Sequence, residues 1–244
     1  MIRLFAYELR RYLFNKFFIG LLLVTSFFSV QIMGGEIILG VAGTAPFSPW
    51  SFGAYLAKIL PFLLVALLFF LSFLTSEQEK RVHALTDVTP IHPYRFLFLR
   101  YCAITTAFTL IALVPVGYAC WFYGFVFQYT VFGSLILPLF CTVLPAFLFI
   151  MGLGTFVGHF NPALLYGLMP VVLLVGLLPM SGPFDLYGTN LFMSYPLTLE
   201  ELDPSFFLPA PVILWKVGYS LAGIIMGIFA LRRSSRVSGG RLRY

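Results

Sequence analysis

A chain of 244 residues that is 60% hydrophobic, 18% aromatic and only 10% charged has too little polar material to cover a soluble globule of that size, which places it in lipid. Its net charge of +6 comes from fifteen basic and nine acidic residues, and their placement decides what that charge means. A hydrocarbon layer of ~30 Å, crossed at ~1.5 Å per helical residue, needs about 20 apolar residues per span.

The first element, MIRLFAYELRRYLFNKFF, is amphipathic. Ile2, Phe5, Leu9, Tyr12, Leu13 and Phe17 fall on one helical stripe, while Arg3, Arg10, Arg11 and Asn15 fall largely outside it. Residues 2–16 are therefore expected to form an interfacial helix, with Arg3, Arg10, Arg11 and Lys16 at the membrane surface. An apolar stretch at 17–39 follows. It is longer than a secretory core and no small-x-small cleavage site follows it, so it is expected to be retained as a span.

Five further stretches satisfy the length criterion: 54–75, 96–123, 131–158, 163–180 and 212–231. Alternating strands of a membrane barrel are absent from the pattern, so the expected fold is all-α. It is a single integral-membrane domain over 1–244, a bundle of six transmembrane helices. The stretch 163–180, fifth of the six, is short and suits a helix with little tilt or a partly re-entrant one. Pro115, Pro138 and Pro145 each lack a backbone donor and are the expected kink sites.

Orientation follows from Lys and Arg, which favour cytoplasmic flanks. Thirteen of the fifteen cations lie before the first span, in or beside 76–95, or after the last span. The connections 40–53, 124–130 and 181–211 contain no Lys or Arg, and the last holds Asp185, Glu200, Glu201 and Asp203. Both termini are expected in the cytoplasm and the protein in the cell membrane as a multi-pass chain. The basic excess then reports topology and contact with anionic lipid, and nucleic acid is not an expected partner.

Several chemistries find no support in the residues. No GxxxxGK[ST] occurs, so the chain has no P-loop for ATP. His83, His92 and His159 form no HExxH and no cluster of three or four ligands, and no GxSxG elbow occurs. Cys102 and Cys120, about 27 Å apart along one helix, cannot pair, and with Cys141 they are expected to be buried apolar thiols. Glu36, Lys58 and Lys216 are the only charges expected within or beside the spans away from the cytoplasmic end. Two readings stand for them: interfacial snorkelling, or an outer vestibule in which Glu36 pairs with Lys58 or Lys216. Gly154 with Gly158, and Gly223 with Gly227, offer small faces for close helix packing.

Two connections carry more structure than a loop requires. In SEQEKRVHALTDVTPIHPYRF, Ser76 and Glu79 have capping-box spacing, Glu77 and Glu79 suit a helix N-terminus, and Val82 and Leu85 share a face. Thr89-Pro90 and His92-Pro93 end that helix and stiffen its exit. The outer connection 181–211 is stiffened by five prolines, and Thr198 to Glu201 repeats the capping-box spacing at the start of an expected short helix. Phe192, Tyr195, Phe206 and Phe207 suit a membrane interface.

The first of these connections resembles the coupling loop of ABC-2-type transporter permeases, the six-helix membrane subunits of ABC exporters. Glu77, Glu79, Arg81, Leu85, Thr89, Pro90, Ile91, Tyr94 and Arg95 stand at matching places, while Thr86 and Asp87 depart from the leucines common there. The resemblance implies a cytoplasmic coupling helix within 76–95 that docks on a separate ATPase subunit. It implies a second permease, identical or homologous, and a pathway for an apolar or amphipathic cargo such as a peptide, lipid or drug. The chain itself would be no enzyme and bind no cofactor; ATP and Mg would belong to the partner. It also implies short helices in 181–211 that cap the pathway. Two rivals remain: a membrane-embedded enzyme, and a channel or transporter driven by ion gradients.

Overall fold

The computed structural model describes the backbone of residues 2–74, 93–178, 180, 182–199 and 201–240, and side chains within these except at 2, 93–95 and 231–240. Among the described residues all regular structure is helical: α1 (Ile2–Leu13), α2 (Lys16–Ile32), α3 (Pro49–Leu74), α4 (Pro93–Val126), α5 (Ile136–Phe160), α6 (Pro162–Leu177), α7 (Thr189–Ser194) and α8 (Ala210–Gly240). A π-turn, Met33–Ile37, prolongs α2, and short 3-10 turns occupy Phe132–Leu135, Gly182–Phe184 and Pro196–Leu199.

Among the described residues, five helices are long and apolar enough to cross a membrane: Lys16–Ile37, Pro49–Leu74, Phe96–Val126, Phe132–Phe160 and Ala210–Ala230. This is the pattern of a multi-pass membrane protein. At the expected fifth span, 163–180, stands α6, an apolar helix of 16 residues and about 24 Å, short of the hydrocarbon thickness.

The centre of the bundle is α3. Its apolar residues run around the whole cylinder, which is the composition of a helix enclosed on every side, and 72% of its most apolar window is buried. Helices α2, α4, α5, α6 and α7 pack on it. By contrast α8 is held on one side only, against α5, and 11% of its window is buried. Its exposed Leu214, Val217, Leu221 and Ile225 continue an apolar outer surface shared with Phe27, Trp121 and Leu174. Lipid tails are the solvent such a surface requires.

The α5–α8 seam depends on two glycines. A Cβ placed on Gly152 would lie 2.6 Å from the carbonyl carbon of Gly223 and 2.7 Å from its Cα, so the two backbones touch where side chains would otherwise stand. Of the glycines expected to offer small faces, Gly223 forms this seam with Gly227 looser at 3.9 Å from Gly152 Cα, and Gly154 packs closely on Leu68 and Leu71 of α3. Helices continue through Pro115 and Pro145, and Pro138 falls in the first turn of α5, where its missing donor matters little.

Where α6 stops explains the loop-rich end of the molecule. Its start is level with the C-terminal part of α3, since Leu165, Leu68 and Leu71 all surround Gly154. Its end is level with the middle of α3, since a Cβ on Gly176 would lie 2.9 Å from Pro61 Cβ. The remaining rise to the N-terminal end of α3 is made by irregular backbone and by α7, whose Phe192 ring covers Gly53. The chain therefore changes ends between α5 and α8 half as helix and half as non-helical segment. Such backbone is tolerated at membrane depth only where protein or trapped water satisfies its polar groups.

That satisfaction is supplied by side chains. Tyr219 donates to Pro183 O, Lys216 Nζ to Leu186 O at 2.7 Å, and Trp50 Nε1 to Pro204 O at 2.9 Å. Asp203 accepts from Ala45 N–H at 3.1 Å, tying the two outer connections together. Phe192, Tyr195, Phe206 and Phe207 gather around the fully buried Trp50 at the start of α3, Phe192 buried and Phe207 exposed. Among the described residues no helix follows Thr198: it closes a 3-10 turn with its hydroxyl donating to Tyr195 O, and residues 201–203 are bends.

Candidate functional site

The expected coupling residues Glu77, Glu79, Arg81, Leu85, Thr89, Pro90 and Ile91 lie outside the described residues. Tyr94 and Arg95 fall in the first turn of α4, with only their backbone described. Arg3, Arg10 and Arg11 are exposed on α1 and Lys16 is exposed at the start of α2, which begins anew because Asn15 Oδ1 accepts from Phe17 N–H.

The helix α1 is more than a surface flank. Tyr12 is buried between Phe70 and Phe73 near the end of α3. Glu8, also buried, forms an ion pair with Arg100 of α4, with Oε2 3.7 Å from Nε; the side chains are 6% and 2% exposed. The Arg100 guanidinium additionally lies 5.2 Å from the Phe96 ring centre. Charges this enclosed are held only where a partner offsets their desolvation, so α1 is locked to the first turns of α4.

The candidate vestibule residues divide. Glu36, in the π-turn after α2, forms an ion pair with Lys58 of α3, and the carboxylate is half exposed. Lys216 is elsewhere and does not snorkel: it is 9% exposed, in the second turn of α8, and lines a cavity of about 320 Å³. The walls come from the irregular segment (Gly182, Asp185, Gly188), from α7 and the turn after it (Asn190, Ser194, Thr198), and from α8 (Val212, Trp215).

Local sequence builds this cavity. Asp185 accepts from Gly188 N–H at 2.8 Å through one oxygen and from Leu191 N–H at 3.1 Å through the other, holding the start of α7. Gly188 has φ of +86°, which only glycine adopts freely, and a Cβ there would also lie 2.9 Å from the Phe192 ring. Tyr187 turns inward and donates to Val172 O of α6 at 2.9 Å; burial pushes its phenol pKa upward, which keeps it the neutral donor that this contact needs. The arrangement sets one buried ammonium and one carboxylate around a polar space, with hydroxyl and amide groups between them. It suits binding a small polar group. Among the described residues no three His, Cys, Asp or Glu side chains converge as a metal site would require.

Glu8, Arg100 and Asp185 are absent from the expected site residues. Glu8 was detectable, since it stands three residues after Phe5 and four before Tyr12 and so interrupts the apolar stripe with an acid. Asp185 was not, because its role depends on where α6 stops.

Compared with family models, with curated proteins and with solved structures, the chain gives no significant match.

Proposed function

We propose that this chain is the membrane-spanning permease subunit of an ATP-driven exporter, coupled through residues 76–95 to a separate ATPase subunit and working beside a second permease, identical or homologous. In this reading both termini and the loop 76–95 face the cytoplasm, and the layer built from residues 38–48 and 182–209 faces outward in the cell membrane. One observation carries the proposal. The loop whose sequence resembles a coupling helix runs directly into α4, and within the first turns of α4 Arg100 holds Glu8 of α1. A partner pulling on that loop would therefore move α4 and α1 together, which is the rigid lever that ATP-driven closure of a soluble domain needs.

The abundance of Phe and Leu in the chain favours an apolar or amphipathic cargo. The test is to purify the chain with candidate ATPases and compare Glu79→Ala and Arg81→Ala with the native sequence. Association weakened at least about tenfold, with loss of coupled ATP hydrolysis, is expected for a docking helix that contributes ~1.4 kcal/mol or more per residue. Unchanged association and unchanged hydrolysis in both variants would remove the case.

A further inference from the structure

We propose that the cavity beside Lys216 seats the headgroup of a zwitterionic phospholipid carrying a primary ammonium, with its phosphate on Lys216 and its ammonium toward Asp185. The inference does not depend on the exporter reading, because it concerns only the chemistry of the cavity and the surface beside it.

The donors come first. The Lys216 ammonium has three N–H groups, and its hydrogen bond within the protein, to Leu186 O, uses one. A buried cation with unspent donors is costly unless something meets them, and the space they face is the cavity. Asn190 adds an amide N–H pair, because its Oδ1 already accepts from Ser194. Phosphate oxygens are the strongest small acceptors for such a set.

The acceptors decide the rest of the headgroup. Asp185 lines the same cavity, and each carboxylate oxygen that accepts one backbone N–H retains capacity for another donor. Ser194 and Thr198 direct their hydroxyl protons to Asn190 Oδ1 and Tyr195 O, leaving their oxygens as acceptors. Lys216 and Asp185 together make the cavity neutral. A purely anionic headgroup would meet the carboxylate, and a trimethylammonium group has no N–H to donate to these acceptors. A phosphate with a primary ammonium satisfies both ends.

The surroundings supply the membrane part. Lys216 is six residues from the start of α8, about 9 Å along the axis, which leaves the cavity beside it within a lysine side chain's reach of the outer end of the span. Trp215, at the cavity wall, is half exposed, as tryptophans at a membrane interface commonly are. Below it, Leu214, Val217 and Leu221 are exposed on α8 and give acyl chains an apolar track. A volume of about 320 Å³ is at the lower end of small-molecule sites and suits a headgroup without its tails.

The experiment uses the full chain reconstituted with equal parts of phosphatidylethanolamine, phosphatidylglycerol and phosphatidylcholine, then released for native mass spectrometry. The native chain is expected to retain one phosphatidylethanolamine at least about tenfold over the other two lipids, and Lys216→Met to lower that retention by at least about tenfold. Should Lys216→Met fail to fold, Ser194→Phe decides, since it fills the cavity from an exposed position and leaves the Lys216 to Leu186 bond intact. It is expected to lose the lipid equally. Equal retention of the three headgroups, or retention unchanged by cavity filling, overturns the proposal. So does binding of inorganic phosphate to lipid-stripped protein with no lipid retained after reconstitution, which would make the occupant a soluble anion.

Discussion

Replacing Glu8 by Gln tests whether α1 is locked to α4 or merely lies against it. The substitution keeps the shape of the side chain and removes the charge, so Arg100, 2% exposed, loses the carboxylate at 3.7 Å. Attraction across that distance is about 4 kcal/mol at an effective dielectric of ~20, and removing one member of a buried pair costs up to roughly 3–5 kcal/mol. For a chain of this size that corresponds to a fall in Tm of about 6–20 °C. Cys102, two residues from Arg100, and Cys120 and Cys141 are only partly covered, so a thiol-reactive dye reports unfolding in detergent without added labels. Arg100→Met should cost a similar amount. The double variant Glu8→Leu with Arg100→Met should recover most of the loss, since replacing a buried pair by apolar groups is often neutral. Additive losses in the double variant, or a single Glu8→Gln within 1 °C of the native chain, would refute the lock.

Three further outcomes follow from the same geometry. Glu36→Gln removes a half-exposed carboxylate from Lys58, so its cost should stay below about 1 kcal/mol, and a Tm loss comparable to that of Glu8→Gln would contradict the difference in burial. Gly223→Ala must part α5 from α8, because a Cβ there would lie 2.6 Å from Phe149 Cα; a loss of about 1–3 kcal/mol is expected in the same dye assay, while Gly218→Ala, with open space around it, should be silent. Tyr187→Phe leaves Val172 O without its side-chain donor and should cost about 0.5–1.5 kcal/mol, read as a lower Tm and faster proteolysis within 182–209.

The helices with a long, unbroken apolar sequence were legible from composition alone, and five of them are observed with ends shifted by a few residues. Length marked the fifth crossing, 163–180, as short but could not place its division. The stretch 163–180 is apolar throughout, so hydropathy favours a span, yet Leu178 has extended backbone and the helix ends there. The cause lies in tertiary contacts that the segment itself does not encode: Pro61 fills the space beside Gly176, and Tyr219, Lys216 and Trp50, distant in sequence, satisfy the carbonyls of the irregular half. Aromatic residues at 192–207 carried a similar ambiguity. Composition suits them to a lipid interface, yet contact with the buried Trp50 draws Phe192 into the core while Phe207 stays exposed.

The charged residues follow one rule that connects these parts. Where a crossing is fully helical the backbone satisfies itself, and charges sit at the ends or in pairs such as Glu8 with Arg100. Where the crossing is irregular, as between α6 and α8, polar side chains must be brought to the backbone, and Lys216 is buried for that reason. An ammonium introduced to satisfy one carbonyl brings three donors. The surplus, facing a neutral polar cavity beside an exposed apolar helix, turns a repair of the fold into a site for a membrane lipid. The same residue thus links the broken fifth crossing to the chemistry of the bilayer around it.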